Sequence, residues 1–178
     1  MSVKVFLGIG TNLNRDNSIR FALLRLKELL GAVDISSVYE SRAVREAEPD
    51  YYNMVIRAQC SLSFEELYEH IQTIEMEAGV EMMFYNGTNF GSKPRLDIDI
   101  LTYGDTVATR PCKVPRHDIQ DYPFVLCPLT EIEPEFMHPL LKIKVSEIWE
   151  EMHPRLPEKM HVKKVDFDFN KEFENWDN

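Results

Sequence analysis

Two stretches of apolar residues at helical spacing, each flanked by strand-like stretches, leave few folds open to this chain. The first follows Asp16, a candidate cap, and carries Ile19, Ala22, Leu23, Leu26 and Leu30, with Gly31 suited to its stop. The second opens with Ser63 and Glu66 in the spacing of a capping box. It continues through Leu67, Ile71, Ile74 and Ala78, and Gly79 ends it. Around them stand four strand-like stretches: Val3 to Ile9, Val33 to Val44, Tyr52 to Leu62 and Leu96 to Leu101.

The order is therefore β-α-β-β-α-β. It predicts an α+β fold with a ferredoxin-like antiparallel sheet, both helices on one face, and a C-terminal extension. Val80 to Pro94 has no sustained period and reads as a long loop of the kind that closes over a site. Lys113 to Phe124 reads as loop or short helix, and Pro128, Pro134 and Pro139 break up the chain beyond it. Val145, Ile148, Trp149 and Met152 make a short amphipathic helix. One domain over 1–160 is expected, with 161–178 as an acidic, aromatic tail.

The net charge of −10 argues against a nucleic acid or an anionic membrane as partner, since both require a basic face. Cys60, Cys112 and Cys127 are far apart and odd in number, which speaks against a disulfide framework or a zinc site. The start of the chain turns polar too soon for a signal peptide, and no apolar run reaches membrane-span length. A cytoplasmic protein is expected. No feature of the sequence specifies an oligomeric state.

Leu96-Asp97-Ile98-Asp99-Ile100 carries the sharpest chemistry. On a strand, Asp97 and Asp99 share a face, with Cα atoms roughly 6.5 Å apart. Two hard carboxylates so placed suit Mg²⁺, with substrate phosphates completing its shell. The same pattern also suits a half-buried strand that shows its acids to water. Tyr51 and Asn53 share a face at the mouth of another strand, an aromatic plane beside an amide, as a flat heterocycle needs. Phe124 opens an apolar run that otherwise reads as core, and is a candidate second plane. Gly10-Thr11-Asn12 is a strand-to-helix turn and a poor match to a phosphate loop. His117-Asp118 reads as surface loop.

Together these pieces resemble the 6-hydroxymethyl-7,8-dihydropterin pyrophosphokinases over roughly 3–150. The resemblance rests on Gly10-Thr11-Asn12-Leu13, Tyr39-Glu40-Ser41, Pro49-Asp50-Tyr51-Tyr52-Asn53, and Glu75 with Gly79. It continues in Pro94-Arg95-Leu96-Asp97-Ile98-Asp99-Ile100-Leu101, Val114-Pro115, and Phe124 to Leu129 with Glu131-Ile132. That family moves the β,γ-diphosphate of ATP to a reduced pterin, giving the pterin diphosphate and AMP in folate synthesis. The resemblance implies that Asp97 and Asp99 bind Mg²⁺ bridging ATP and substrate, and that Tyr51 and Phe124 sandwich the pterin. It implies that Asn53, helped by Ser41 and main chain near Val44, pairs with the pterin edge. Phe90 resembles the lid aromatic, and Glu75 a family residue beside the nucleotide.

The departures lie on the triphosphate side. Val80-Glu81-Met82-Met83 stands where the family carries basic residues, and Arg95 lies directly against Leu96. Arg95, expected to act on the transferring group, together with Lys93, Arg110, Lys113 and Arg116 are the available cations. The alternative is a divergent relative that binds a pterin but has weak, altered or no transferase activity.

Overall fold

The computed structural model describes residues 1–43, 45 and 48–177. Strand β1 (Val3–Thr11) lies inside the main sheet because both its faces find cover. Val5, Leu7 and Ile9 point to one side, and Phe6 with Gly8 and Gly10 to the other. β1 pairs antiparallel with β4 (Tyr51–Cys60) on one side and with β7 (Asp97–Tyr103) on the other. The short strands β2 (Val33–Ile35) and β3 (Tyr39–Ser41) both pair antiparallel with β4. The first face carries α1 (Arg15–Leu30) and α2 (Phe64–Ala78), as a ferredoxin-like fold requires. Ile19, Ala22 and Leu26 of α1 and Leu67, Ile71 and Ile74 of α2 bury against β1, β4 and β7. Each of the leucines and isoleucines contributes about 1.5–3 kcal/mol through burial.

The capping box of α2 is present in full. The Glu66 N–H donates to Ser63 Oγ at 3.2 Å, and the Ser63 N–H donates to the Glu66 carboxylate at 2.8 Å. Ser63→Ala should therefore cost about 1 kcal/mol and lower the melting temperature by roughly 2–4 °C. A thermal melt in which the variant matches the wild type would deny the box that role. At α1 the expected cap is displaced. Asn14 occupies the cap in left-handed backbone with no side-chain bond to the helix N–H groups, and Asp16 falls in the first turn, where a carboxylate favours the helix N-terminus.

Three other expectations need correction. Val33 to Val44 does not form one strand. Buried Ser36 interrupts it by accepting the Val55 N–H on its own Oγ at 2.9 Å, so the chain breaks into β2 and β3. Val80 to Pro94 is not a loop but a hairpin of β5 (Val80–Tyr85) and β6 (Thr88–Pro94). Its turn is Asn86-Gly87, both at positive φ, the pairing that two-residue hairpins favour. Pro128 does not end a segment but lies inside α4 (Pro123–Ile132), withholding the N–H that would bond the Phe124 carbonyl.

The extension covers the second face of the sheet. α3 (Asp118–Asp121), α4 and α5 (Val145–Met152) bring Ile119, Leu126, Leu129, Val145 and Ile148 onto Phe6, Val55 and Leu101. The chain then adds β8 (Lys163–Lys164) beside β3 and returns across α1, where Phe167 is buried and Phe173 and Trp176 pack on the first core. Among the described residues, no helix is long and apolar enough to cross a membrane.

Candidate active site

The site begins with two missing side chains. Gly8 stands in register between Val55 and Asp99, and Gly10 between Asn53 and Asp97. The second face of the sheet is therefore hollow at this end. A Cβ on Gly8 would come within 3.3 Å of Leu101, and one on Gly10 within 3.5 Å of Asn53 Oδ1. The hollow is a cavity of about 360 Å³, at the size of a small flat ligand. Ser41, Tyr51 and Asn53 wall it from the sheet, Asp97 and Asp99 from β7, and Arg116, Asp118, Tyr122 and Phe124 from the extension.

Its polar wall is pre-set. Asn53 Nδ2 donates to Ser41 Oγ at 2.8 Å, and both residues are buried. Phe124 stacks on Tyr122 with ring centres 5.0 Å apart, which fixes the plane it offers. Tyr51 is held by Lys93, whose Nζ donates to the phenol oxygen at 2.6 Å and to Glu48 at 2.8 Å.

A second cavity, about 660 Å³, shares Gly10, Tyr51 and Asp97 with the first. Thr11 and Asn12 line it from the end of β1, Gln72, Glu75 and Met76 from α2, and Val80 and Lys93 from the hairpin. Burial works against the charge of Lys93, but its bonds to Glu48 and Tyr51 outweigh that and hold its pKa above the ordinary value.

Carboxylates crowd the junction of the two cavities. Burial, then the negative charge of Asp97, push Asp99 up to about 6, against the pull of Arg116 at 3.3 Å. Burial also pushes Glu75 up to about 7. The Ile98 N–H, donating at 2.7 Å, opposes this, while Asp97 and Asp99 add to it. A cation at this junction would favour the charged forms of Asp99 and Glu75. Among the described residues, no three His, Cys, Asp or Glu side chains are arranged to hold a metal ion by themselves.

The residues expected from sequence separate into two sets. Ser41, Tyr51, Asn53, Asp97, Asp99, Arg116 and Phe124 meet around the first cavity, and Glu75 and Lys93 face the second. Arg95 lines neither. Its guanidinium donates to the Ala78 carbonyl at 3.0 Å, pairs with Glu81 at 3.5 Å and lies over the Trp176 ring. Arg110 and Lys113 are exposed on a separate loop, and Phe90 is 65% exposed on β6, outside both linings. Val44 falls outside the described residues.

Sequence reasoning passed over Asp118 and Tyr122, read as loop, and Gln72 and Met76. A signal for the latter existed. Gln72, Glu75, Met76 and Gly79 recur at i, i+3, i+4 and i+7, one helix face distinct from the buried stripe.

The sequence signature of the family described as 7,8-dihydro-6-hydroxymethylpterin-pyrophosphokinase (HPPK) matches residues 6–134. The chain belongs to this family. An HPPK of Aquifex aeolicus, 2-amino-4-hydroxy-6-hydroxymethyldihydropteridine pyrophosphokinase, is 38% identical over 147 residues, covering 80% of this chain and 88% of the relative. The enzyme of the same name from Haemophilus influenzae is 30% identical, covering 77% and 86%. Among solved structures, a Plasmodium falciparum HPPK-DHPS variant superposes with a TM-score of 0.71 over 98% of this chain and 48% of its own. Its identity is 12%, so that likeness speaks for the HPPK fold alone, and this chain spans about half the length of that protein.

Proposed function

We propose that this protein transfers diphosphate from ATP to 6-hydroxymethyl-7,8-dihydropterin, giving the pterin diphosphate and AMP in folate biosynthesis. The observation that carries the reading is the pair of cavities that meet at Asp97 and Tyr51. One is walled by rings and an amide. The other is larger and carries the lysine. The family match supplies the reaction, and the relatives lend no support to a divergent binder.

In this reading the pterin lies between Tyr51 and Phe124, with its edge on Asn53 and Ser41. ATP lies in the larger cavity beside Glu75 and Lys93. The hydroxymethyl oxygen attacks the β-phosphorus, the bond from that phosphorus to the α,β-bridging oxygen breaks, and the hydroxyl proton passes to water. AMP leaves with the bridging oxygen. Lys93 and Arg116 offer positive charge from opposite sides of the junction, where the phosphates would carry their developing charge.

The carboxylates fit Mg²⁺. Burial and mutual repulsion raise Asp99, a strain that a hard divalent cation relieves, and Mg²⁺ takes one or two carboxylates together with phosphates and water. Asp97 and Asp99 would hold it, and when bound it would neutralise phosphate charge. Residues 1–160 would form the catalytic domain, working in the cytoplasm, with 161–178 as an appended tail.

Incubation with hydroxymethyldihydropterin and Mg-ATP should yield AMP and pterin diphosphate in equal amounts. ADP with a pterin monophosphate, or pterin binding with no AMP, would overturn the reading.

A further inference from the structure

We propose that Trp176 is a positioning residue for the nucleotide side of the site, acting through Arg95. The proposal rests on the diphosphotransferase reading for its kinetic consequence, and on contacts alone for its structural one.

Trp176 lies outside the stretch matched by the family signature, yet it is tied to the body of the protein. Its ring packs on Phe21 of α1 at 5.1 Å and on Phe173 at 4.9 Å, and Phe173 in turn meets Phe21 at 5.1 Å. Two side-chain amides of the α1 start seize the tail backbone. Asn14 donates to the Trp176 carbonyl at 3.2 Å and Asn17 to the Asn175 carbonyl at 3.1 Å. A three-ring cluster with two amide clasps fixes where the indole faces. That face receives the Arg95 guanidinium, its carbon 4.8 Å from the ring centre.

Arg95 joins three elements at one point. Its side chain reaches the last turn of α2 at Ala78, the first strand of the hairpin at Glu81, and the tail at Trp176. Its main chain closes the base of the hairpin. The Arg95 N–H donates to the Gly79 carbonyl at 3.1 Å, and its own carbonyl accepts from Thr11 Oγ1 at 2.6 Å. Thr11, Gly79, Val80, Pro94 and Asp97 all line the nucleotide cavity. A shift of Arg95 therefore moves several walls of that cavity and leaves Asn53 and Ser41 alone. Among the described residues, the two strands of the hairpin pair only with each other. Its angle over the cavity is thus set at this root and by Lys93, which ties β6 to Glu48 and Tyr51. Lys93, inside the cavity, is the cation for the phosphates, and Arg95 acts through the frame that carries it.

The test uses the full chain with Trp176→Leu and Trp176→Phe. Phe keeps an aromatic face for the guanidinium and Leu does not. Amide exchange over Val80–Pro94 and at Arg95 should quicken in Trp176→Leu and stay near wild type in Trp176→Phe. The KM for Mg-ATP should rise about tenfold in the Leu variant and recover in the Phe variant, with a much smaller loss of pterin affinity confined to the Leu variant, since Lys93 also holds Tyr51. Arg95→Met, which removes the cation and keeps the tail cluster, should reproduce the Leu result and serves if Trp176→Leu does not fold. Equal behaviour of the Leu and Phe variants, or hairpin exchange that does not change, would overturn the proposal. So would a parallel loss of ATP and pterin affinity, the mark of general loosening. Absence of AMP release from the wild type would overturn the diphosphotransferase reading instead, and hairpin exchange would still decide the role of Trp176.

Discussion

Asp97→Ala should leave a folded protein that no longer transfers diphosphate, with turnover down by about three orders of magnitude. Asp97 sits at the start of β7, an edge strand of the sheet, and its side chain is exposed at the meeting of the two cavities. Its loss removes no core contact. It also lifts repulsion, because Asp97 is one of the charges that raise both Asp99 and Glu75. The metal-free variant should therefore melt no lower than wild type. Magnesium, by contrast, loses one of the two carboxylates proposed to share it with the phosphates. Calorimetric titration with Mg-ATP should show binding fall steeply with the same substitution. Unchanged nucleotide affinity would sink the assignment, and a lowered melting temperature would make Asp97 a structural residue.

Much of this site is legible in the sequence because strands alternate. Asp97 and Asp99 fall on one face, as do Tyr51 and Asn53, and the sheet register brings these pairs to either side of β1. What alternation hides is the floor. Gly8 and Gly10 read as the end of a strand, yet β1 runs on to Thr11, and the glycines are what keep the second face open. The hairpin was within reach through Asn86-Gly87, but Val80 to Pro94 lacks a clean alternation, and its register shifts between Met82 and Phe84. Arg95 shows the limit most plainly. It has the same parity as Asp97 and Asp99, which would aim it at the carboxylates. It lies, however, between the end of β6 and the start of β7, so the alternation restarts after it. Its side chain then turns to the acceptors near it, Ala78 and Glu81, and to the ring of Trp176, a residue distant in sequence. Trp176 itself belongs to a stretch whose composition suggests a tail, and only the fold reveals the Phe21 surface that receives it.

Asn53→Ala should weaken binding of a pterin analogue by about 1–3 kcal/mol, roughly five- to 150-fold in Kd, with nucleotide affinity unchanged. Asn53 is paired through β4 with Gly10 on one side and Tyr39 on the other, so its backbone is held by the middle of the sheet. Its side chain is almost fully enclosed and already bonded to Ser41, which leaves little freedom to lose when a ligand arrives. Truncation leaves the polar edge of a buried heterocycle facing a methyl group, and it strips Ser41 Oγ of its donor at the same stroke. Both penalties fall on the pterin cavity, because Asn53 and Ser41 are absent from the lining of the nucleotide cavity. Ser41→Ala should weaken pterin less, since Asn53 would remain to meet the ligand. Titrating the intrinsic fluorescence of the analogue against wild type, Asn53→Ala and Ser41→Ala tests the order. Equal affinity for wild type and Asn53→Ala would mean that the ligand of this cavity does not present its edge to the amide. A Ser41 effect larger than the Asn53 effect would move recognition from the amide to the hydroxyl.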